Sequence, residues 1–301
     1  MNRRDWAILL ALSVLWGGSF FFIEIAVDTV HPLTLVLIRV SIAAAALWLF
    51  MCLRRQRAAI PGSAILAFFV LAALNNVLPF ILFAWAQQEI AGGLASILNA
   101  TTPIWGVIVA HLCTRDEKMT PGKVAGVLLG FSGVALMIGP DFLKEIGTGV
   151  WAQLACLVAT LCYALAGVFG RRFHAMGINP VAVSTGQLTA SAIVMLPLVL
   201  LFEPPWAAAS PAPEAWVALV ALALFCTSFA YILYFQLLAS AGATNSLLVT
   251  FLIPITAILL GALFLGEMLE PRHFAGMALI GAGLAAIDGR LLRLARRRAL
   301  A

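Results

Sequence analysis

Glu117-Lys118-Met119-Thr120-Pro121, followed by Gly126 and Gly133, is answered by Glu267-Met268-Leu269-Glu270-Pro271, followed by Gly276 and Gly283, at a constant offset of 150 residues. Upstream, Ile81-Leu82-Phe83 and Pro103 are answered by Ile232-Leu233-Tyr234 and Pro254 at an offset of 151, and Pro32 by Pro180 at 148. The chain reads as two copies of one unit, residues 1–145 and 146–301, with small length changes in the loops. A repeat of this kind sets the architecture before any single residue does.

The medium follows from composition. Hydrophobic residues make up 63% of the chain and charged residues 10%, against roughly 25% charged in soluble domains. So little charge cannot cover a soluble fold of this size, and hydrocarbon must solvate most side chains. Ten apolar stretches stand out, at about 6–27, 33–53, 64–87, 92–112, 121–139, 150–170, 180–202, 214–239, 242–265 and 272–288. Each can cross about 30 Å of hydrocarbon as a helix rising 1.5 Å per residue. The expected fold class is all-α, a polytopic membrane protein of ten transmembrane helices. Loops are short and leave no room for a soluble domain.

Lys and Arg fix the orientation. With the N-terminus in the cytoplasm and strict alternation, fifteen fall in inside segments and two, Lys144 and Arg272, outside; Arg39 lies within the second span. Such a bias predicts both termini in the cytoplasm. The net charge of +5 thus reports topology, and no nucleic-acid partner is expected. The basic tail, 290–298, reads as an anchor to anionic lipid. Arg3-Arg4-Asp5-Trp6 is not read as a twin-arginine or cleaved signal, because the apolar run is too long and no small-x-small site follows before Asp28. Five cysteines without a Cys-x-x-Cys pair indicate neither a disulfide framework nor a metal, and no cofactor is expected.

Five spans per copy make the second copy start on the opposite side from the first, the inverted-repeat arrangement of secondary transporters. Gly126, Gly130 and Gly133 in span 5 and Gly276 and Gly283 in span 10 let backbones approach closely in lipid. They predict scaffold helices packed on each other or on near neighbours; dimerisation through the same faces is the alternative, so monomer and homodimer both stay open. Pro103 and Pro254 are matched interruptions of spans 4 and 9. They read as a hinge beside the substrate path or as static kinks.

At this point the residues resemble the drug/metabolite transporter superfamily, specifically its ten-helix exporters with two EamA-type halves. The resemblance rests on Leu15-Trp16-Gly17-Gly18-Ser19-Phe20, on Leu37-Ile38-Arg39-Val40, on the proline of span 4, and on the Glu-x-x-x-Pro and paired glycines of span 5. The second copy repeats the later pieces, but Leu161-Cys162-Tyr163-Ala164 and Gln187 stand where the first has its tryptophan-glycine-glycine and arginine. The resemblance implies an inner-membrane transporter, usually an exporter of small metabolites such as amino acids. It does not name the solute.

Ionisable groups at depth are functional hypotheses by default. Glu24 near the outer end of span 1 and Arg39 at similar depth in span 2 are expected to form an ion pair. That pair would fix the two helices, or Arg39 would serve a gate or a substrate carboxylate. His111 and Asp288 read as interfacial. The candidate cavity is Trp16, Asn75, Asn76, Phe83, Asn99, Thr101, Thr102, Tyr163, Gln187, Ser228, Tyr231, Tyr234 and Thr250. Any one of these residues is more often a helix-to-helix hydrogen bond than a ligand contact; their clustering is the signal. Phe80, Trp85 and Trp105 are expected to add apolar wall. No carboxylate sits at mid-membrane, so transport is expected to be facilitative or coupled to protons through Glu24 or His111.

An enzyme is not expected. The four histidines lack metal-site spacing, and no nucleophile elbow or phosphate loop appears; the missing phosphate loop also excludes an ATP-driven pump. A lipid or headgroup flippase is the leading alternative, ahead of an intramembrane enzyme and a selective channel. The partners implied are a small-molecule solute and the bilayer.

Overall fold

A computed structural model describes residues 1–55, 61–138, 149–203, 211–264 and 271–288. Among these residues every regular element is helical. Seven helices are long and apolar enough to cross a membrane: α1 (Arg3–Val27), α2 (Pro32–Leu53), α3 (Gly62–Ala86), the pair α4 (Gly92–Asn99) and α5 (Thr102–Cys113) taken end to end, α7 (Val150–Ala175), α8 (Pro180–Phe202) and α9 (Pro213–Ala241). Shorter apolar helices complete the bundle: α6 (Pro121–Ile138), α10 (Ala243–Leu247) with α11 (Val249–Phe264), and α12 (Pro271–Asp288). Residues 267–270 of the repeated loop, Lys144, the side chain of Asp288 and the tail at 290–298 lie outside the described residues.

Helix starts follow local chemistry. Asn2 caps α1 in a reciprocal box with Asp5, each backbone N–H reaching the other side chain at 2.8 Å. Ser240 Oγ then donates to Asp5 Oδ1 at 2.8 Å and ties the start of α1 to the end of α9. Proline opens α2, α6, α8, α9 and α12, where its missing N–H costs nothing. The Glu203 carboxylate, just past α8, accepts the amides of Leu33 (3.2 Å) and Thr34 (2.8 Å), so the end of one helix neutralises the positive start of another.

The two copies interlock. α1 packs on α9 and α11, α2 on α8, the second half of α3 on α7, and α6 on α12. This last pair meets backbone to backbone. A Cβ added to Gly283 would lie 2.5 Å from the Gly126 carbonyl and 2.7 Å from the Gly130 amide, and one on Gly133 would lie 2.7 Å from the Gly276 carbonyl. A Cβ on Gly130 would lie 2.8 Å from the Phe251 ring of α11. These glycine faces are consumed inside one chain. Substituting Gly283 by Val is expected to lower stability by about 1–3 kcal/mol through overpacking, whereas Gly281→Ala, with nothing within 4 Å of the new methyl, should be neutral or mildly stabilising. Apparent melting temperatures of the two variants in detergent, compared with the parent, check this.

Candidate functional site

Irregular backbone gathers at one level of the bundle. α3 widens into a π-helical turn over Ala73–Val77, and α9 into another over Leu224–Phe229. The two turns lie about one repeat apart. Spans 4 and 9 are each broken into two helices, between Asn99 and Thr102 and between Leu247 and Val249. π turns and helix breaks at this depth are tolerated where they border protein or a cavity.

The prolines act differently in the two copies. Pro103 sits in the first turn of α5, where no intrahelical donor is lost. Pro254 lies inside α11 and removes the amide that would serve the Thr250 carbonyl. The break in the second copy falls nearly two turns before its proline, so the matched pair expected from the sequence does not mark equivalent breaks. In α3, Pro79 offers no N–H to the carbonyl of Asn75; the Tyr231 hydroxyl, 3.0 Å from that carbonyl and 2.5 Å from Asn76 Oδ1, faces both acceptors.

Around these irregularities lies a cavity of about 70 Å³. Nine of the residues anticipated from the sequence border it. They are Trp16 on α1, Asn75 and Phe83 on α3, Asn99 and Thr102 at the break of span 4, Tyr163 on α7, Tyr231 and Tyr234 on α9, and Thr250 on α11. Arg39 borders it too, with Phe80 beneath its guanidinium at 3.6 Å. The other four anticipated residues turn away. Asn76 donates to Ser191 Oγ at 2.8 Å, Gln187 Oε1 accepts from Asn75 at 3.1 Å, Thr101 pairs with Thr160 at 3.2 Å, and Ser228 donates to the Ala43 and Ala223 carbonyls at 3.2 and 2.8 Å. All but the Ser228–Ala223 bond join one helix to another. Ser19, Phe20, Ile23, Leu247 and Ile253 border the cavity without having been anticipated; Leu15-Trp16-Gly17-Gly18-Ser19-Phe20 was the available signal for Ser19 and Phe20. Trp85 is exposed at the bundle surface, and Trp105 packs elsewhere, so neither supplies cavity wall.

The expected Glu24–Arg39 pair does not form. Arg39 is buried, with Nε donating to Thr227 Oγ1 at 2.8 Å and Nη2 to Ser19 Oγ at 3.4 Å. Glu24 is exposed on another face of α1, its carboxylate beside Gly92 at the start of α4. Similar depth did not mean similar facing. His111 is half-buried near the end of α5, and its Nδ1 accepts the Met119 amide at 3.2 Å.

A second, wider hollow of about 930 Å³ opens at the end of the bundle that carries Lys123, Arg171 and Arg172. An apolar plug of Val109, Ala164 and Leu247, backed by Trp105, Leu161, Leu165 and Val168, lies between it and the central cavity. Leu247 is wedged against α5, its Cδ1 2.7 Å from where a Gly106 Cβ would stand. The plug is held by a polar latch. The Glu117 carboxylate accepts the Ala243 and Thr244 amides at 3.0 and 2.9 Å, and Arg171 bridges Glu117 (3.3 Å) and Asp116. The hydrogen bond from Arg171 holds the Asp116 carboxyl below its ordinary value. Because that value is depressed, the ionic contact is intact above it and is lost as pH falls through it.

A buried, partly polar cavity at the seam of an all-helical apolar bundle defines a multi-pass membrane transport protein. The EamA-like transporter family profile matches twice, at residues 5–139 and 150–287, and the chain belongs to that family. The uncharacterized transporter YoaV of Bacillus subtilis is 22% identical over 92% of this chain and 94% of its own. The uncharacterized inner membrane transporter YedA of Escherichia coli K12 is 23% identical over 90% and 86%. A protein of Streptantibioticus cattleyicolor named as a probable terminal-alkyne amino-acid exporter is 26% identical over 97% and 95%. One solved crystal structure superposes with a TM-score of 0.75 over 95% of this chain and 98% of its own at 18% identity, a likeness of fold.

Removing the latch should loosen the plug. In a background without the native cysteines, Ala164→Cys is expected to react several-fold faster with a water-soluble maleimide when Arg171→Ala is added, and Asp116→Asn should give a smaller increase. Timed labelling followed by mass spectrometry reads this.

Proposed function

We propose that the protein is a secondary carrier that exports a small metabolite of the amino-acid class by alternating access at the seam between its two repeats. The observation that carries this reading is the central cavity, bordered by residues of both copies and by the ends of broken helices from both. Such ends offer amides and carbonyls to a solute at mid-depth. The plug and latch at one end are the parts of a gate. The name borne by the Streptantibioticus relative supports amino acids as the solute class.

The charge bias supports an orientation with both termini in the cytoplasm, in which the wide hollow faces the side where an exporter collects its cargo. The reading needs no enzymatic step, and it is stated for the single chain, with a homodimer compatible. Arg39 is the one charged residue bordering the cavity among the described residues. A carboxylate able to relay protons there is not among them, so transport is expected to run downhill, or to couple through Glu24 or His111.

Proteoliposome counterflow tests the carrier. Preloaded amino acids should drive accumulation of labelled solute, and Trp16→Ala and Asn99→Ala should each reduce it about tenfold or more while the variants still elute as folded protein. Ohmic current, or lipid movement without solute counterflow, would overturn the carrier in favour of a channel or a flippase. With a pH gradient imposed, uphill transport that survives Glu24→Gln together with His111→Ala would refute the coupling scheme.

A further inference from the structure

We infer that Arg39 is the binding site for a carboxylate on the transported solute, so that the cavity selects small organic acids and amino acids over the same molecules with the carboxylate converted to an amide. This rests on the carrier reading and deepens it. A guanidinium keeps its charge in a protein interior and offers five N–H donors in a planar fork. Arg39 is 4% exposed, yet only two of its nitrogens are engaged: Nε with Thr227 and Nη2 with Ser19, both neutral hydroxyls. Nη1 has no hydrogen-bond partner among the described residues, and the side chain borders the cavity.

No carboxylate of the described residues pairs with it. The one acidic residue expected at that depth, Glu24, is exposed elsewhere. A buried cation without a counter-charge is costly, and a bound carboxylate supplies that charge together with the matching planar geometry.

The rest of the wall fits a small organic body on such an anion. Phe80 covers one face of the guanidinium at 3.6 Å, leaving the fork's edge for a ligand. The hydroxyls of Tyr163 and Tyr234 and Nδ2 of Asn99 border the cavity and donate to no described residue. Trp16 and Tyr234, with ring centroids 5.6 Å apart, supply apolar surface. A single fixed cation suits a monocarboxylate better than a phosphate dianion.

The experiment compares acids with their amides. L-alanine, L-valine and L-phenylalanine, and the C-terminal amide of each, are titrated against the purified protein with thermal shift and intrinsic tryptophan fluorescence as readouts. The parent should prefer at least one acid over its amide by roughly 10- to 100-fold, the range expected of a charge-assisted hydrogen bond. Arg39→Gln should erase the preference, and Arg39→Lys should retain part of it. A purely structural arginine would weaken acid and amide alike and leave the ratio unchanged, which overturns the assignment. Equal binding of every acid and its amide by the parent, or no response to any of the six, also overturns it. Counterflow separates this failure from failure of the carrier. Counterflow of the three amino acids at equal rates in parent and Arg39→Gln removes the carboxylate site and leaves the carrier standing, whereas no counterflow of any solute removes both.

Discussion

Hydrocarbon cannot hydrogen-bond a backbone amide or carbonyl, and each one left unmatched there costs several kcal/mol. That constraint governs where this chain can depart from a regular helix. The departures sit around one cavity, and most carry a hydroxyl beside the freed carbonyl. Tyr231 lies beside the Asn75 carbonyl, opposite the imino nitrogen of Pro79. In the π turn of α9, Thr227 and Ser228 donate five residues back, to Leu222 and Ala223, both at 2.8 Å. At the breaks, Thr102 donates to Asn99 at 2.6 Å and Thr250 to Leu247 at 2.8 Å. Threonine, serine and tyrosine are therefore doing two things in this protein. They make bent backbone tolerable in a membrane, and by doing so they allow polar groups to line a hollow at mid-depth.

The two copies divide the labour unequally. The first supplies Trp16 and Arg39 to the cavity; the second supplies Tyr163, Tyr231 and Tyr234. At the position of Arg39 the second copy has Gln187, which stays buried against Asn75. A symmetric pair of arginines would place two like charges at one depth with little room to separate them. One cation and one amide avoid that repulsion and give the cavity a polarity with a direction.

Much of the fold was legible in the sequence. Apolar runs, the repeat and the glycine spacing are features of length and composition, and a membrane span is defined by length and composition. Facing was less legible. A soluble helix shows its buried side by alternating polar and apolar residues, but here lipid and core are both apolar. Asn75 and Asn76 show the difficulty: adjacent in the π turn of α3 and both bonded to α8, yet Asn75 borders the cavity and Asn76 does not. Glu24 shows it again. Ser19, which Arg39 does reach, stands five residues earlier, roughly 140° around the helix. Depth can be counted along a sequence, but rotation is set by packing against neighbours. The unanticipated π turns have the same origin, since a widened turn depends on a partner such as Tyr231 arriving from another helix.

The same physics separates parts that can move from parts that cannot. Gly126, Gly133 and Gly283 bring α6 and α12 into backbone contact, and such an interface has no slack for sliding without clash. Around the cavity the helices are joined instead through side chains: Arg39 to Thr227, Asn76 to Ser191, Leu247 against Gly106, Glu117 to the start of α10. Side-chain hydrogen bonds between membrane helices are worth about 1 kcal/mol each, comparable to what a bound solute can exchange on arrival. Rearrangement is therefore cheapest at the cavity and the latch and most costly along the glycine seam. A carrier needs that distribution, because a solute can switch only contacts whose strength is similar to its own.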